Sequence, residues 1–418
     1  MSDDLRVETT HPSKGKHMTN RLTRGRAVAG IAVIGALSVT LAACGGSSSS
    51  SDSSSAAAPA SSAAAPASSA AAPASSAAAP ASSAAAGGTV AVSLITKDST
   101  NPFFVAMQEG AKKAATENGV DVTIASGKQE GDDQGQIDAI ENAIAQGQKG
   151  ILITPMSTNV NSAIKKARDA GLYVIALDTP TDPPDAVDIT FATDNCVAGE
   201  AIGQWTAGKL DGAKATIAQL VIFNDRVVSV DYCRANGFLK GLGVTVPDPK
   251  DMNSAPKTGT YATGKGGDYE IVCVEATGAN EEGGKKGMEN CLAKNPDINV
   301  VYTINEPTAF GADNALKAAG KTVGKDVYVV SVDGGLAGVQ AVKDGGIQAT
   351  SQQYPLKMAE EGIKAIKAIA EGGAPPAPTS ADGTFFDTGV TLCTEDPQDT
   401  VTAAPQQNAQ YCIDNAWG

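Results

Sequence analysis

The chain has 418 residues, room for two domains plus accessory segments at ~100–200 residues per domain. Its 32 Lys and Arg against 46 Asp and Glu give a formal net charge of −14, which argues against a nucleic-acid partner, because such recognition shows a basic footprint. The two histidines are His11 and His17, so removal of the first 17 residues would exclude Ser–His–Asp catalysis, Cys–His catalysis and His-ligated metal sites together.

Residues 21–26 read Arg-Leu-Thr-Arg-Gly-Arg and precede an apolar run from Ala27 to Ala43. A basic start, a short apolar core and small residues before a cut site predict a secretory signal over 1–43, with Met18 the better-placed start. The alternative is an uncleaved membrane helix, for which 17 residues is the lower edge. Leu41-Ala42-Ala43-Cys44-Gly45 resembles the lipobox of bacterial lipoproteins, which implies that Cys44 becomes a lipid-modified first residue. The 375 residues from Cys44 onward carry 26 basic and 43 acidic side chains, a net −17 suited to a soluble body held away from an anionic surface. Ala-Ala-Ala-Pro-Ala-Ser-Ser then occurs four times from Ala56 to Ser83. The period of seven carries no large apolar residue for a coiled coil, and Pro59, Pro66, Pro73 and Pro80 would break a helix. Residues 44–88 are therefore expected to be a disordered tether with a coil span of roughly 35 Å.

From Thr89 the pattern is regular. Short β-branched runs predict strands at Val90–Ile95, Val120–Ala125, Gly150–Ile153, Tyr173–Leu177, Ile189–Ala192, Thr216–Ile222, Ile271–Val274, Val300–Thr303, Val327–Val332 and Ile347–Ser351. Helical patterns lie between them near 102–118, 133–147, 158–170, 195–210, 228–242, 281–294, 307–319, 335–344 and 355–371. Such alternation predicts an α/β fold of parallel sheets covered by helices on both faces. The length exceeds one comfortable domain, so two doubly wound lobes are expected.

Ligands of open parallel sheets sit beyond the carboxyl ends of the strands. Those ends carry Lys97, Asp98 and Asn101; Thr154; Asp178 and Thr179; Asn224 and Asp225; Asn280; Asn305 and Glu306; Asp333; Gln352 and Gln353. Phe103 and Phe104 follow Asn101. Any one Asn or Asp here also suits a helix N-cap. Glu306 could cap its own helix, and Trp205, in mid-helix, reads as packing. As a set, carboxylates, amides and two aromatics suit a sugar, whose hydroxyls donate and accept and whose C–H faces lie on rings. The nearest phosphate-loop match, Gly203 to Leu210, ends in Leu where Ser or Thr is needed. No Gly-x-Gly-x-x-Gly follows a strand and no Cys-x-x-Cys occurs, so no cofactor and no metal is expected.

Six cysteines remain beside Cys44, an even number in an exported protein, and buried free thiols are the alternative to disulfides. Cys273 ends a strand and Cys291 lies on the next helix. Cys393 and Cys412 are close in a C-terminal extension with little else to hold it. Cys196 and Cys233 each open a helix in the same predicted lobe. These are the expected pairs.

Ser99-Thr100-Asn101-Pro102-Phe103-Phe104, Leu177-Asp178-Thr179, Cys233-Arg234-Ala235-Asn236-Gly237-Phe238, Ile304-Asn305-Glu306, Val332-Asp333-Gly334 and Gln353-Tyr354-Pro355 occur in that order. With them the chain resembles the ribose-binding-protein type (type I periplasmic) of sugar-binding subunits of ABC importers, over about Thr89 to Gly373. Within that family it is most similar to the fructose-binding branch. The resemblance implies two lobes joined by three crossing strands that close on the sugar. It implies Asn101 and Gln353 near sugar hydroxyls, Phe103 and Phe104 stacked on the ring, and Asp178, Asn305 and Asp333 accepting or bridging hydroxyl bonds. Thr179 stands where ribose binders carry an arginine. Tyr232 aligns with the second-lobe arginine that touches ribose, while Arg234 matches a neighbouring arginine. The second-lobe aromatic falls near Ala279 and Asn280. These departures imply more room, fitting a hexose or ketohexose: fructose first, with ribose, xylose, galactose or inositol as alternatives.

The crossings are expected near Ala192–Asn195, Gln353–Tyr354 and Pro378–Asp382. That places the first lobe at 89–192 plus 354–378 and the second at 193–353 plus 379–418. The protein is expected to be a monomer on the outer face of the cytoplasmic membrane, anchored by lipid and working with importer permease subunits. Three rivals share parts of this pattern. A sugar-modifying enzyme would use paired carboxylates, but these fall at separate strand ends among amides, a pattern suited to holding. A transcription regulator would need a DNA-binding helix pair where the signal and tether stand. A sensor component, for a sugar or a quorum signal, would share every feature read here.

Overall fold

The structure, a computed structural model, describes residues 89–418, so the expected signal, Cys44 and the tether lie outside the described residues. The described residues open with five strands, the first three each followed by an α-helix. Strands β1 (Val90–Thr96), β2 (Val120–Ser126), β3 (Gly150–Ile153), β4 (Tyr173–Leu177) and β5 (Ile189–Ala192) are parallel, in the order 5-4-3-1-2. Helices α1 (Pro102–Asn118), α2 (Asp133–Ala145) and α3 (Asn161–Asp169) connect them. β3 reads Gly-Ile-Leu-Ile and is buried at every position, because helices cover both faces. α1 starts where the Asn101 side chain accepts from Phe103 N and Pro102 fixes the first turn; Gly119 ends it in the left-handed conformation, φ 64°.

The chain then repeats the plan. α4 (Asn195–Leu210) leads to β6 (Ala215–Val221), α5 (Ser229–Leu242), β7 (Thr258–Tyr261), β8 (Gly267–Ala276) and α6 (Glu281–Lys294). Next come β9 (Val300–Thr303), α7 (Glu306–Ala318), β10 (Tyr328–Asp333), α8 (Leu336–Asp344) and β11 (Ala349–Gln352). α9 (Pro355–Ala370) returns to pack beside α1 on the first sheet. The core of the second sheet runs 11-10-9-6-8, the same winding as the first. All described residues fall in one compact unit.

α4 and α5 pack unusually close. A Cβ at Gly203 would collide with the Phe238 carbonyl oxygen, and one at Gly241 with that of Glu200. The same contact brings Cys196 and Cys233 within 4.2 Å, Cα to Cα, where they are bonded. Cys273–Cys291 and Cys393–Cys412 are also bonded, so all three expected pairs are present. Trp205 is fully buried on α4, as packing, and its Nε1 donates to Asp396 O at 2.8 Å.

Two features depart from the expected plan. The sheets are not purely parallel: β7 pairs antiparallel with β8, and β13 (Thr391–Cys393) pairs antiparallel with β11. β7 is an edge strand exposed at three of four positions, so it carries no apolar run to read. The third passage between sheets also lies later than Pro378–Asp382. β12 (Phe386–Asp387) still pairs with β5 of the first sheet, so the chain crosses at 388–390 before entering β13. Phe386 packs on Phe191 with ring centroids 4.7 Å apart, which holds this segment on the first sheet. β14 (Gln406–Gln407) and α10 (Ala409–Asp414) complete the extension. No helix of the described residues is long and apolar enough to cross a membrane.

Candidate ligand-binding cleft

The carboxyl ends of the two sheets face each other across a narrow cleft. From the first lobe Lys97, Asn101, Phe103, Phe104, Glu130 and Asp178 line it. From the second come Ile222, Val230, Arg234, Ala279, Ile304, Asn305 and Asp333. The enclosed volume is about 30 Å³, room for about two waters and not for a sugar ring. The extra room expected from the substituted aromatic and arginine is therefore not open here. Arg234 reaches into the gap between the lobes, and Ala279 and Ile304 close in beside it.

Arg234 is the centre of the arrangement. It is 5% exposed on α5. Its Nε donates to Asn195 Oδ1 at 2.7 Å, and its Nη1 donates to Ile304 O at 2.9 Å. Nη1 stands 3.4 Å from Asp333 Oδ1, and Nη2 stands 3.7 Å from Asp178 Oδ1. One guanidinium thus faces an aspartate from each lobe. Asn195, on the first passage, also donates to Asp178 O at 3.1 Å, so it ties the arginine to Asp178.

Both aspartates sit on strained backbone. Among the described residues four non-glycine positions have positive φ: Asp178 (64°), Asp211 (50°), Ala279 (57°) and Asp333 (138°). Asp211 closes α4; the other three line the cleft. Such conformations cost of order 1–3 kcal/mol each and persist where the surroundings impose them, typically at functional sites. Asp178 Oδ2 accepts from Thr179 Oγ1 at 2.8 Å, while its buried Oδ1 accepts no hydrogen bond. Asp333 Oδ1 accepts from Gln353 Nε2 at 2.9 Å. Burial pushes the Asp333 carboxyl well above its ordinary range, against the pull of Arg234.

Of the expected residues, Asn101, Phe103, Phe104, Asp178, Arg234, Asn305 and Asp333 come together at the cleft. Four are placed differently. Gln353 lies behind Asp333 and bonds it. Thr179 touches Asp178 and turns to a small neighbouring recess. Asn280 caps α6, accepting from Gly283 N at 2.9 Å, and lines an outer recess at the mouth. Tyr232 does not line the cleft. It is two residues from Arg234 on one helix, hence on nearly the opposite side, and faces Asp182 and Lys250. Asn101 and Asn305 do two things at once: each caps a helix, and each presents its remaining surface to the cleft.

Glu130 was not singled out by sequence. Lys97, 2% exposed, stands at a strand end and was visible as such. Its Nζ is 3.3 Å from Glu130 Oε1, an oxygen with no aligned hydrogen-bond donor. Burial pushes the Glu130 carboxyl up, while Lys97 beside it opposes the shift. Glu306 neither caps its own helix nor lines the cleft. Its carboxylate accepts from Gly334 N (2.7 Å), Gly335 N (3.0 Å) and Thr350 Oγ1 (2.8 Å), fixing the turn that follows Asp333. A concavity of about 950 Å³ opens at the other end of the first sheet around Lys149, Arg168 and Tyr173. Arg168 there is paired with Asp188 and Lys165 with Asp169. No cluster suited to a metal ion occurs among the described residues.

Two like sheets meet at a narrow seam beyond their carboxyl ends, and residues 91–374 match the periplasmic binding protein domain. The chain belongs to the periplasmic binding protein family. Periplasmic binding proteins are extracytoplasmic and hold solutes rather than transform them. The chain is 28% identical to the ribose import binding protein RbsB of Salmonella typhimurium over 283 residues, covering 67% of this chain and 85% of that one. It is 29% identical to the galactofuranose-binding protein YtfQ of Escherichia coli over 269 residues, 64% of this chain and 77% of that one. A crystal structure of a galactofuranose binding protein superposes with a TM-score of 0.63 at 24% identity, over 78% of this chain and 98% of that one.

Proposed function

We propose that this periplasmic binding protein captures a neutral monosaccharide, fructose in first place, and presents it to the permease subunits of an ABC importer. The observation that carries the reading is the Asp178–Arg234–Asp333 bridge, which joins the two lobes across the seam where the strands end. Three carboxylates and two cations line the cleft, so its charges nearly cancel, which suits an uncharged ligand. Sugar hydroxyls would donate to the Asp178 and Glu130 oxygens that accept no hydrogen bond and would accept from Lys97 and Arg234. Phe103 and Phe104 would cover the C–H face. The relatives named above bind ribose and galactofuranose, sugars of the same chemistry.

The closed cleft leaves no path for a ring, so the lobes must part at the three passages and close again on the ligand. A ligand touching both lobes favours the closed form by its differential affinity. The lipid on Cys44 would hold the protein, as a monomer, at the outer face of the membrane, with residues 45–88 as tether. A thermal-shift screen with fructose, ribose, xylose, galactose, glucose and myo-inositol tests the reading, because a ligand of the folded state raises Tm. Fructose is expected to give the largest rise, and no rise with any of the six would overturn it.

A further inference from the structure

The extension after Gly389 lies beyond the family match, which ends at residue 374. The Cys393–Cys412 bond and a chain of hydrogen bonds bring Trp417 back to the junction of the lobes. Gln352 Nε2 donates to Cys412 O at 3.0 Å, and Leu336 N donates to Trp417 O at 2.8 Å, so the backbone is fixed to the second lobe. The indole crosses to the first. Its Nε1 donates to Gln353 O, on the second passage, at 3.0 Å. Its ring meets Phe103 edge-on, with centroids 5.3 Å apart and planes at 82°, and Phe103 meets Phe104 the same way at 5.5 Å. Trp417 is 6% exposed and belongs to the apolar core of the first lobe.

We infer that Trp417 is a positioning residue of the cleft: carried by the disulfide-held extension, it holds the Phe103 ring at the angle on which the ligand stacks and secures the passage at Gln353. The inference rests on the reading that a sugar lies against Phe103. Edge-to-face pairs shift an equilibrium by about two- to tenfold beyond simple burial, and a phenyl ring without its neighbour turns more freely.

Calorimetric titration of the intact protein with fructose, or with the sugar that gives the largest thermal shift, tests it. Trp417→Ala is expected to weaken binding about three- to tenfold, and Trp417→Phe to recover most of the loss. Phe103→Leu with Trp417→Ala is expected to bind no more weakly than Phe103→Leu alone, because the tryptophan acts through that ring. In a Trp205→Phe background Trp417 is the remaining tryptophan, and its emission should change with the calorimetric midpoint. Should Trp417→Ala fail to fold, Cys393→Ser with Cys412→Ser frees the extension and should weaken binding similarly. Wild-type affinity in Trp417→Ala, or losses that add in the double variant, would overturn the role of Trp417. Absence of binding by the unaltered protein would instead overturn the reading of the cleft.

Discussion

Asp178 and Asp333 combine two costs that a purely structural residue would avoid: a buried carboxylate and a strained backbone. Burying a charge is unfavourable unless it is paired, and Arg234 is the partner both share. If sugar hydroxyls supply the remaining bonds, Asp178→Ala and Asp333→Ala each weaken binding at least ~10-fold, since hydrogen bonds to charged groups are worth ~1.5–3 kcal/mol. Calorimetry on both variants checks this, and unchanged affinity in both would remove the pair from the site. At this scale the sequence was informative where residues stand at strand ends, because the strand itself aims them. It failed for Tyr232, where the face of a helix decides, and for Glu130, which lies on a loop after β2 that no spacing links to the cleft.

Elements were legible where burial is continuous. β3, β4, β5 and β9 occur at the bounds their apolar runs predict, since helices on both faces demand unbroken β-branched stretches there. β12, β13 and β14 are two or three residues long and owe their place to pairing and to a disulfide, which leave no periodic signal. The glycines of α4 and α5 hold meaning only once the helices are seen in contact. Gly203→Val should destabilise the fold by about 1–3 kcal/mol through overpacking against Phe238 and Leu242. A urea midpoint equal to that of the unaltered protein would show that the two helices can part without loss. Since α5 carries Arg234, the same variant should also misplace the bridge.

For the whole molecule, buried carboxyls set the pH response. The described residues contain no histidine, so the side chains titrating between pH 5 and 8 are these acids. Burial pushes Asp231 from its ordinary range to about 7, although two backbone N–H groups and the nearby Lys97 and Arg234 pull it down. Burial raises Glu306 as well, helped by the neighbouring Asp333. Each then binds a proton more tightly folded than unfolded. Their contribution to stability should be full below about pH 4 and fall as pH rises toward the folded values, by up to about 1.4 kcal/mol per pH unit per group. Urea unfolding at pH 5 and pH 7.5 should show the lower midpoint at pH 7.5, and Asp231→Asn should narrow the gap. Equal midpoints would mean that these carboxyls ionise normally.

The matching winding of the two sheets also limits what the cleft can tell apart. β4 and β10 hold equivalent places; Asp178 directly follows the first and Asp333 ends the second, both with positive φ. A sugar turned end for end would meet the same pair of carboxylates. Its orientation must be read by groups that have no counterpart across the seam: Phe103, Phe104, Lys97 and Glu130 from one side and Arg234 from the other. Epimers that differ at a carbon facing those five groups should be sorted more sharply than epimers that differ only where the two aspartates face them alike.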